Sequence, residues 1–404
     1  MPDKIIYFDN AATSYPKPES VYLASDSALR CAGNPGRGAH RLSFLAASAI
    51  FEAREALAEH FNLDDSSRLV FTSSCTASIN LVLSGLIGNG TLKAGSTVLV
   101  TSYEHNAVMR SLTYHVEHSG LKMQVLPASK EPGLVDMKDL EAALASAPLP
   151  ALAVLTSASN VTGELLDRKI IERLSKSGVP VLLDGAQSAG RIEENLSKGV
   201  AFYATSGHKG LLGPPGVGLL YCRADMLLDP PFCGGTGSRS ESYIMPDFLP
   251  DRLEPGTAGV HLAAALHAGL DYISEKGMDK LLAHELALGE RFLAGLNGIE
   301  GISLKGRKVI ESGLKSGTDW QKIAYLPVFS FAVEGLTASW VADALDTRYG
   351  IAVRPGLHCA VSTHQVLGTV EEGLTRVSIG PFNTEEDVDV LLAALNEVAV
   401  GADK

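Results

Sequence analysis

Seven short apolar runs punctuate the first 222 residues: RLVFT (68–72), STVLVT (96–101), KMQVLP (122–127), ALAVLTS (151–157), PVLLDG (180–185), AFYATS (201–206) and GVGLLYC (216–222). Most are apolar at consecutive rather than alternate positions, the pattern of a strand covered on both faces. Helical periodicity fills the intervals near 75–87, 105–118, 136–146 and 165–178. Strand–helix alternation of this kind predicts an α/β fold built on a mainly parallel seven-stranded sheet. Only a short Gly/Pro stretch separates the last two runs, too little for a crossover, so one of that pair is expected to run antiparallel.

Beyond residue 230 the texture changes. FCGGTGSRSES is a Gly/Ser loop, and from Thr257 a long helical pattern runs through AGVHLAAALHAGLDYI. A second helix near 279–296, a strand-like YLPVFSFAV, a helix at 338–348 and a closing helix near 384–399 complete the chain. This predicts a large domain over 1–260 and a smaller α/β domain over 261–404, with the first 20 or so residues packing on the smaller one. No internal repeat or low-complexity tail is evident.

Composition narrows the setting. Apolar residues make up 46% and charged residues 20% of the 404, so a sizeable packed core is expected. A net charge of −12 is opposite to the basic excess of nucleic-acid binders. No run approaches the ~20 apolar residues of a membrane span, and the opening MPDKIIYFDN lacks the pattern of a secretory signal. The five cysteines (31, 75, 222, 233 and 359) form no Cys-x-x-Cys pair. That pattern fits a reducing compartment, expected to be the cytoplasm, and neither a disulfide framework nor a metal site.

In open α/β sheets ligands sit beyond the carboxyl ends of the strands. PVLLDGAQSAG closes on Asp184 with Gln187 three residues on, and AFYATSGHK closes on Ser206, His208 and Lys209. RLVFT leads into SSCTASINLVLSG, where small hydroxyl residues open an apolar helix. Each feature alone has an ordinary explanation as a turn residue or cap. A helix N-terminus also suits a phosphate, and a phosphate seat, a buried acid and a lysine amine form the set that pyridoxal phosphate requires. Glycines 207, 210, 213, 216 and 218 crowd around Lys209. Because glycine tolerates positive φ and close approach, they are expected to let this loop bend around a ligand.

On these stretches the chain resembles the fold-type I pyridoxal-phosphate enzymes of aminotransferase class V, and within that class the cysteine desulfurases. The likeness runs from YFDNAAT near the start to RVSIGPFNTEEDV near the end. It implies that Lys209 in SGHK forms the Schiff base with pyridoxal 5'-phosphate, that Asp184 and Gln187 in DGAQ bond the ring nitrogen and hydroxyl, and that His105 in YEHNAV stacks on the ring. Cys75 and Thr76 match the phosphate-binding turn, and Ser206 and His208 its other side. Thr257 in EPGT is similar to the threonine that reaches the partner subunit's phosphate, implying a homodimer. Asn160 in SNVTGE and Arg376 in TRVSIG match groups that bind an amino-acid carboxylate, and Arg354 in VRPGLHCA is a second candidate; arginine's planar fork suits that task. A carboxylate against the pyridinium keeps it protonated, and a lysine amine kept neutral by burial is a base for the substrate α-proton.

The motif RPGLHCA singles out one reaction. In the family, the cysteine of R-x-G-x-H-C-A attacks the sulfur of L-cysteine, becomes a persulfide and releases L-alanine. Cys359 stands at that place, with Arg354 and His358 as groups to hold a thiolate. The short loop is similar to that of the second desulfurase group, whose persulfide passes to a sulfur-acceptor protein. Iron–sulfur cluster assembly, thiolated RNA and sulfurated cofactors are the destinations this implies. Four positions depart from the family pattern: Leu357 where histidine is frequent, no proline two residues after Cys359, Cys75 in place of threonine or alanine, and Glu164 in place of threonine. The competing readings are another class V enzyme (selenocysteine lyase, aminotransferase or epimerase), whose turnover survives loss of Cys359, and a non-catalytic scaffold that kept the fold.

Overall fold

The computed structural model describes residues 5–36, 38–129, 133–306 and 325–400. Among them the strands are β1 (Ile6–Tyr7), β2 (Leu69–Thr72), β3 (Thr97–Thr101), β4 (Lys122–Leu126), β5 (Leu152–Thr156), β6 (Val181–Asp184), β7 (Phe202–Ser206), β8 (Gly218–Cys222), β9 (Ile302–Lys305), β10 (Val328–Val333), β11 (Ile351–Ala352), β12 (Arg354–Gly356) and β13 (Leu374–Ser378). The helices are α1 (Glu19–Cys31), α2 (Arg41–His60), α3 (Cys75–Gly88), α4 (Asn106–Ser119), α5 (Met137–Leu144), α6 (Arg168–Lys176), α7 (Val260–Lys276), α8 (Met278–Leu296), α9 (Ala338–Tyr349), α10 (Val361–Leu367) and α11 (Glu385–Val400).

All seven apolar runs become strands of one sheet, in the order β2-β8-β7-β6-β5-β3-β4. β8 runs antiparallel to β7 and β2, as the short Gly/Pro connection requires, and the other neighbours are parallel. Successive side chains point to opposite faces, and both faces are covered. Leu99, Leu155, Leu183 and Tyr203 enter one core with Leu57 of α2, Leu140 of α5, Ile170 of α6 and Leu266 of α7. Val98, Val154, Leu182 and Phe202 enter a second core with Ile79 and Val82 of α3 and Val108 and Leu112 of α4. Continuous apolar sequence is the direct consequence of this double cover.

A four-stranded antiparallel sheet, β12-β13-β10-β9, forms the C-terminal layer. Its Phe329, Phe331 and Val377 pack with Phe292 of α8, Leu345 of α9 and Leu391 and Leu395 of α11. The N-terminal segment joins this layer, because β1 pairs in parallel with β11 and Phe8 enters the same core. Two helices, α1 and α2, precede the first strand that the apolar pattern predicts. Helix α1 buries only Val21 while exposing Tyr22, Leu23 and Leu29; α2 buries Ala46, Ala53 and Leu57 while exposing Leu42, Phe44 and Phe51. With apolar side chains on both faces, neither carries a clean amphipathic period.

Gly218 opens β8 opposite Thr72 of β2 and Ser206 of β7. A Cβ there would collide with the backbone of Ser74 and Cys75 at the start of α3. Gly218→Ala is therefore expected to lower stability by about 1–3 kcal/mol, read as a lower urea midpoint with an unchanged denaturant slope.

Candidate active site

The carboxyl ends of β5, β6 and β7 open onto a cavity of about 230 Å³. Of the candidate catalytic, cofactor-binding and substrate-binding residues, all but His358, Cys359 and Thr257 line it; the His358 ring bonds the Arg354 carbonyl and His364 rather than the Cys359 sulfur. Register sets its floor. Thr156 lies opposite Asp184, and Asp184 opposite Ala204, so Asp184, Ser206 and Lys209 emerge side by side.

Asp184 is buried, and its Oδ1 accepts from the Ala186 backbone N–H at 2.9 Å and from Cys75 Sγ at 3.3 Å. Burial lowers the pKa of the Lys209 amine, while the Asp184 carboxylate pulls it back up. Burial, reinforced by Asp184, pushes the Cys75 thiol well up, so it stays protonated and donates. Gln187 Nε2 donates to the Ala11 carbonyl at 2.9 Å, tying the turn after β6 to the N-terminal segment. The glycines around Lys209 act differently from expectation. Only Gly216 among the five has positive φ, at 94°. Gly210 and Gly218 are instead points of close backbone approach, where a Cβ would strike Ala189 or Ser74. Packing on the protein's own backbone shapes this loop.

Ser74 caps α3 by accepting from the Ala77 N–H at 3.1 Å, and the Cys75 N–H donates to Ser206 Oγ at 3.2 Å. With Thr76 also on the cavity wall, the α3 N-terminus offers backbone N–H groups and a positive dipole end to an anion. His208 lines the same side. Burial and the Lys209 charge lower its pKa to about 4, and its buried Nδ1 has no partner among the described residues. Lys17, which the sequence did not single out, donates from Nζ to the His208 carbonyl at 2.7 Å and to Ser14 Oγ at 2.6 Å. Burial lowers its pKa to about 8. Its setting, YPKPES, carries no signal beyond a polar turn.

His105 caps α4, its Nδ1 accepting from the Ala107 N–H at 3.0 Å. The neutral ring therefore carries its proton on Nε2. Burial, assisted by the Lys209 charge, lowers its pKa to about 4. The preceding Glu104 is fully buried. Its Oε1 accepts from Thr101 Oγ1 at 2.7 Å and the Thr156 N–H at 2.9 Å, while Oε2 has no partner among the described residues. Burial first, then the Asp184 charge, raises its pKa to about 8, so at neutral pH it holds a proton and adds no second charge beside Asp184.

At the opposite wall Arg376 is fully buried. Its fork is divided: Nη2 reaches Asp9 Oδ1 at 2.6 Å and Nη1 the Asn160 carbonyl at 3.0 Å, leaving the buried Nε without a partner among the described residues. Asn160 Nδ2 donates to the His358 carbonyl at 2.7 Å. Cys359 is exposed on the adjoining loop, with Arg354 Nη2 3.5 Å from its Sγ. The Cys359 carbonyl accepts from the Asn106 N–H at 2.7 Å, so the loop is pinned to the start of the helix that His105 caps. Thr257 is exposed and lines a separate cavity of about 1000 Å³ with Arg54, Glu254 and Thr236.

Glu104 generates a testable pH dependence. Its carboxyl holds a proton to about 8 when folded, against 4.5 ordinarily. The stability tied to that proton is fully present below 4.5 and is lost as pH rises through about 8. Glu104→Gln fixes the neutral form. The stability difference, variant minus wild type, is expected to rise between pH 4.5 and 8 by a few kcal/mol, measured by urea unfolding across that range.

The chain is 31% identical to a probable cysteine desulfurase of Pyrococcus abyssi, over 98% of this chain and 94% of the relative. It is 32% identical to another of Methanothermobacter thermautotrophicus, over 98% and 94%. Among solved structures, the apo cysteine desulfurase of Thermococcus onnurineus NA1 superposes with a TM-score of 0.87 at 31% identity, covering 98% of this chain and 95% of that one. The cysteine desulfurase CsdA of Escherichia coli gives 0.85 at 27% identity, covering 99% and 96%. The family model for aminotransferase class V matches residues 6–391. With its mostly parallel seven-stranded sheet and a lysine–carboxylate pair at the strand ends, this chain belongs to the aminotransferase class-V family.

Proposed function

We propose that this chain is a pyridoxal 5'-phosphate-dependent cysteine desulfurase, converting L-cysteine to L-alanine with the sulfur held on Cys359 as a persulfide. The observation that carries the reading is the junction of two sites: a cavity holding Lys209, Asp184, His105 and Arg376, and an adjoining loop on which Cys359 lies beside Arg354. The residues present fit the cofactor. They supply an amine facing the cavity, a buried carboxylate, a neutral imidazole, a helix N-terminus and, on the phosphate side, a His208 Nδ1 without a partner among the described residues. Bound there, pyridoxal phosphate supplies an electron sink for the substrate carbon.

The chain's own groups do the rest. Asp184 would hold the ring nitrogen of the bound cofactor, and proton-bearing Glu104 avoids a competing carboxylate. Lys209, its amine shifted towards the neutral form by burial, takes the substrate α-proton. Arg376 and Asn160 hold the substrate carboxylate, Arg376 through the Nε edge left free by Asp9 and the Asn160 carbonyl. Arg354 lies against the Cys359 sulfur. That sulfur, as the thiolate, attacks the substrate sulfur. An S–S bond forms, the Cβ–S bond breaks with its electron pair remaining on carbon, a proton is delivered to that carbon, and the α-proton held by Lys209 returns to the α-carbon to yield alanine.

Several surroundings support the wider reading. Leu23, Phe44, Phe51, Phe232 and Ile244 are each more than 60% exposed, an apolar surface suited to a second copy of the chain. Thr257 lies away from its own cavity, which agrees with a role across a homodimer. The exposure of Cys359 suits hand-over of the persulfide to an acceptor protein. We assign residues 1–260 to cofactor binding and 261–404 to the substrate end. No described helix is long and apolar enough to cross a membrane, and the cysteine pattern supports a cytoplasmic location.

The test is alanine release from L-cysteine with a thiol reductant. Wild type is expected to release alanine and Cys359→Ala to lose at least 100-fold, on the order of 2.7 kcal/mol of barrier. Equal release from both would remove Cys359 from the chemistry and favour a lyase.

A further inference from the structure

Behind Cys359 runs a line of polar side chains that the reaction does not use. His358 Nε2 lies 3.1 Å from the Arg354 carbonyl, His358 Nδ1 lies 3.3 Å from His364 Nε2, and His364 Nδ1 lies 2.8 Å from Thr369 Oγ1. His364 is fully buried and His358 nearly so.

The direction of every hydrogen bond follows from one end. A carbonyl only accepts, so His358 Nε2 must carry the proton it donates to Arg354. Burial, with Arg376 beside it, pushes the His358 pKa down to about 2, so the ring is neutral and its Nδ1 is an acceptor. His364 Nε2 then donates; burial outweighs the nearby Thr369 backbone carbonyl and lowers the His364 pKa, so this ring too is neutral and its Nδ1 accepts from the Thr369 hydroxyl. The line reads Thr369 to His364 to His358 to the Arg354 carbonyl, with both rings in the Nε2–H form and every ring nitrogen satisfied.

Its terminus is the catalytic loop. His358 and Cys359 have φ of 51° and 57°, a left-handed conformation costing non-glycine residues about 1–2 kcal/mol each. Such a turn persists only when its surroundings over-determine it. The Asn160 and Asn106 bonds hold the carbonyls of residues 358 and 359. The His358 ring is the contact that ties this end of the loop back to Arg354, whose guanidinium lies against the Cys359 sulfur.

We infer that His364 is a positioning residue: by donating to His358 Nδ1 it fixes that ring's tautomer and so holds Cys359 against Arg354. The inference rests on the proposed role of Cys359, and its test is separable from that role. Without the donor, His358 is left with an unsatisfied buried nitrogen or switches its proton to Nδ1, and in the second case its bond to the Arg354 carbonyl is lost.

The side-chain series at 364 separates the donor from mere packing. Glutamine places an N–H near the Nε2 position, asparagine reaches only as far as Nδ1, and methionine fills the space with no donor. Cys359 alkylation by iodoacetamide, located by peptide mass with exposed Cys31 and Cys233 as internal references, is expected to slow about tenfold in His364→Met and His364→Asn. That is the worth of about one hydrogen bond. His364→Gln should stay within about threefold of wild type. Alanine release should show the same order in kcat, with KM for cysteine unchanged. Nitrogen-15 NMR of the wild-type imidazoles should find both His358 and His364 as Nε2–H, which decides the matter even where a variant fails to fold. His358 in the Nδ1–H form, a flat alkylation series, or a glutamine variant as slow as methionine would overturn the inference. The expected alkylation order without alanine from any form would reject the desulfurase reading and leave the positioning role supported.

Discussion

The site depends on bringing an amine and a carboxylate into one cavity. Lys209 and Asp184 emerge beyond the ends of adjacent parallel strands into it, and a charge there is costly without its opposite nearby. Burial drives Lys209 towards neutrality while Asp184 opposes it. The surrounding choices follow from this tension. Glu104 is held protonated and Cys75 is kept as a thiol that donates to Asp184. His105 and His208 are pushed towards neutrality. The site contains many titratable groups but few charges.

A second constraint joins the two sheets. Arg376 on β13 is buried and needs a counter-charge, which comes from Asp9 beside β1. Its other bond, to the Asn160 carbonyl, fastens the C-terminal layer to the loop after β5. Asn160 in turn grips the Cys359 loop. One arginine thus links the N-terminal segment, the large sheet and, through Asn160, the loop that carries Cys359.

Much of this was legible in the chain. Double burial writes itself as continuous apolar runs, so all seven strands of the large sheet, and the antiparallel turn at 207–217, could be read directly. Asp184 and Lys209 were legible because strand ends in parallel sheets are where ligands sit. Other elements were not. α1 and α2 carry exposed as well as buried apolar side chains, which erases the period that marks a helix. Asp9, Lys17 and His364 act through contacts that only the fold creates: Asp9 lies 367 positions from Arg376 in sequence. The glycines near Lys209 were misread because crowding around a ligand and crowding against the protein's own backbone leave the same composition.

In the proposed function, the amine of Lys209 is the cofactor's covalent anchor. The direct measurement is to add pyridoxal 5'-phosphate to the purified full chain, reduce with borohydride, digest, and locate the pyridoxyl group by mass spectrometry. A single modified lysine, Lys209, is expected, with no stable modification in Lys209→Ala. Labelling at Lys17, whose pKa burial also lowers, or labelling spread over surface lysines at equal yield in both proteins, would contradict it.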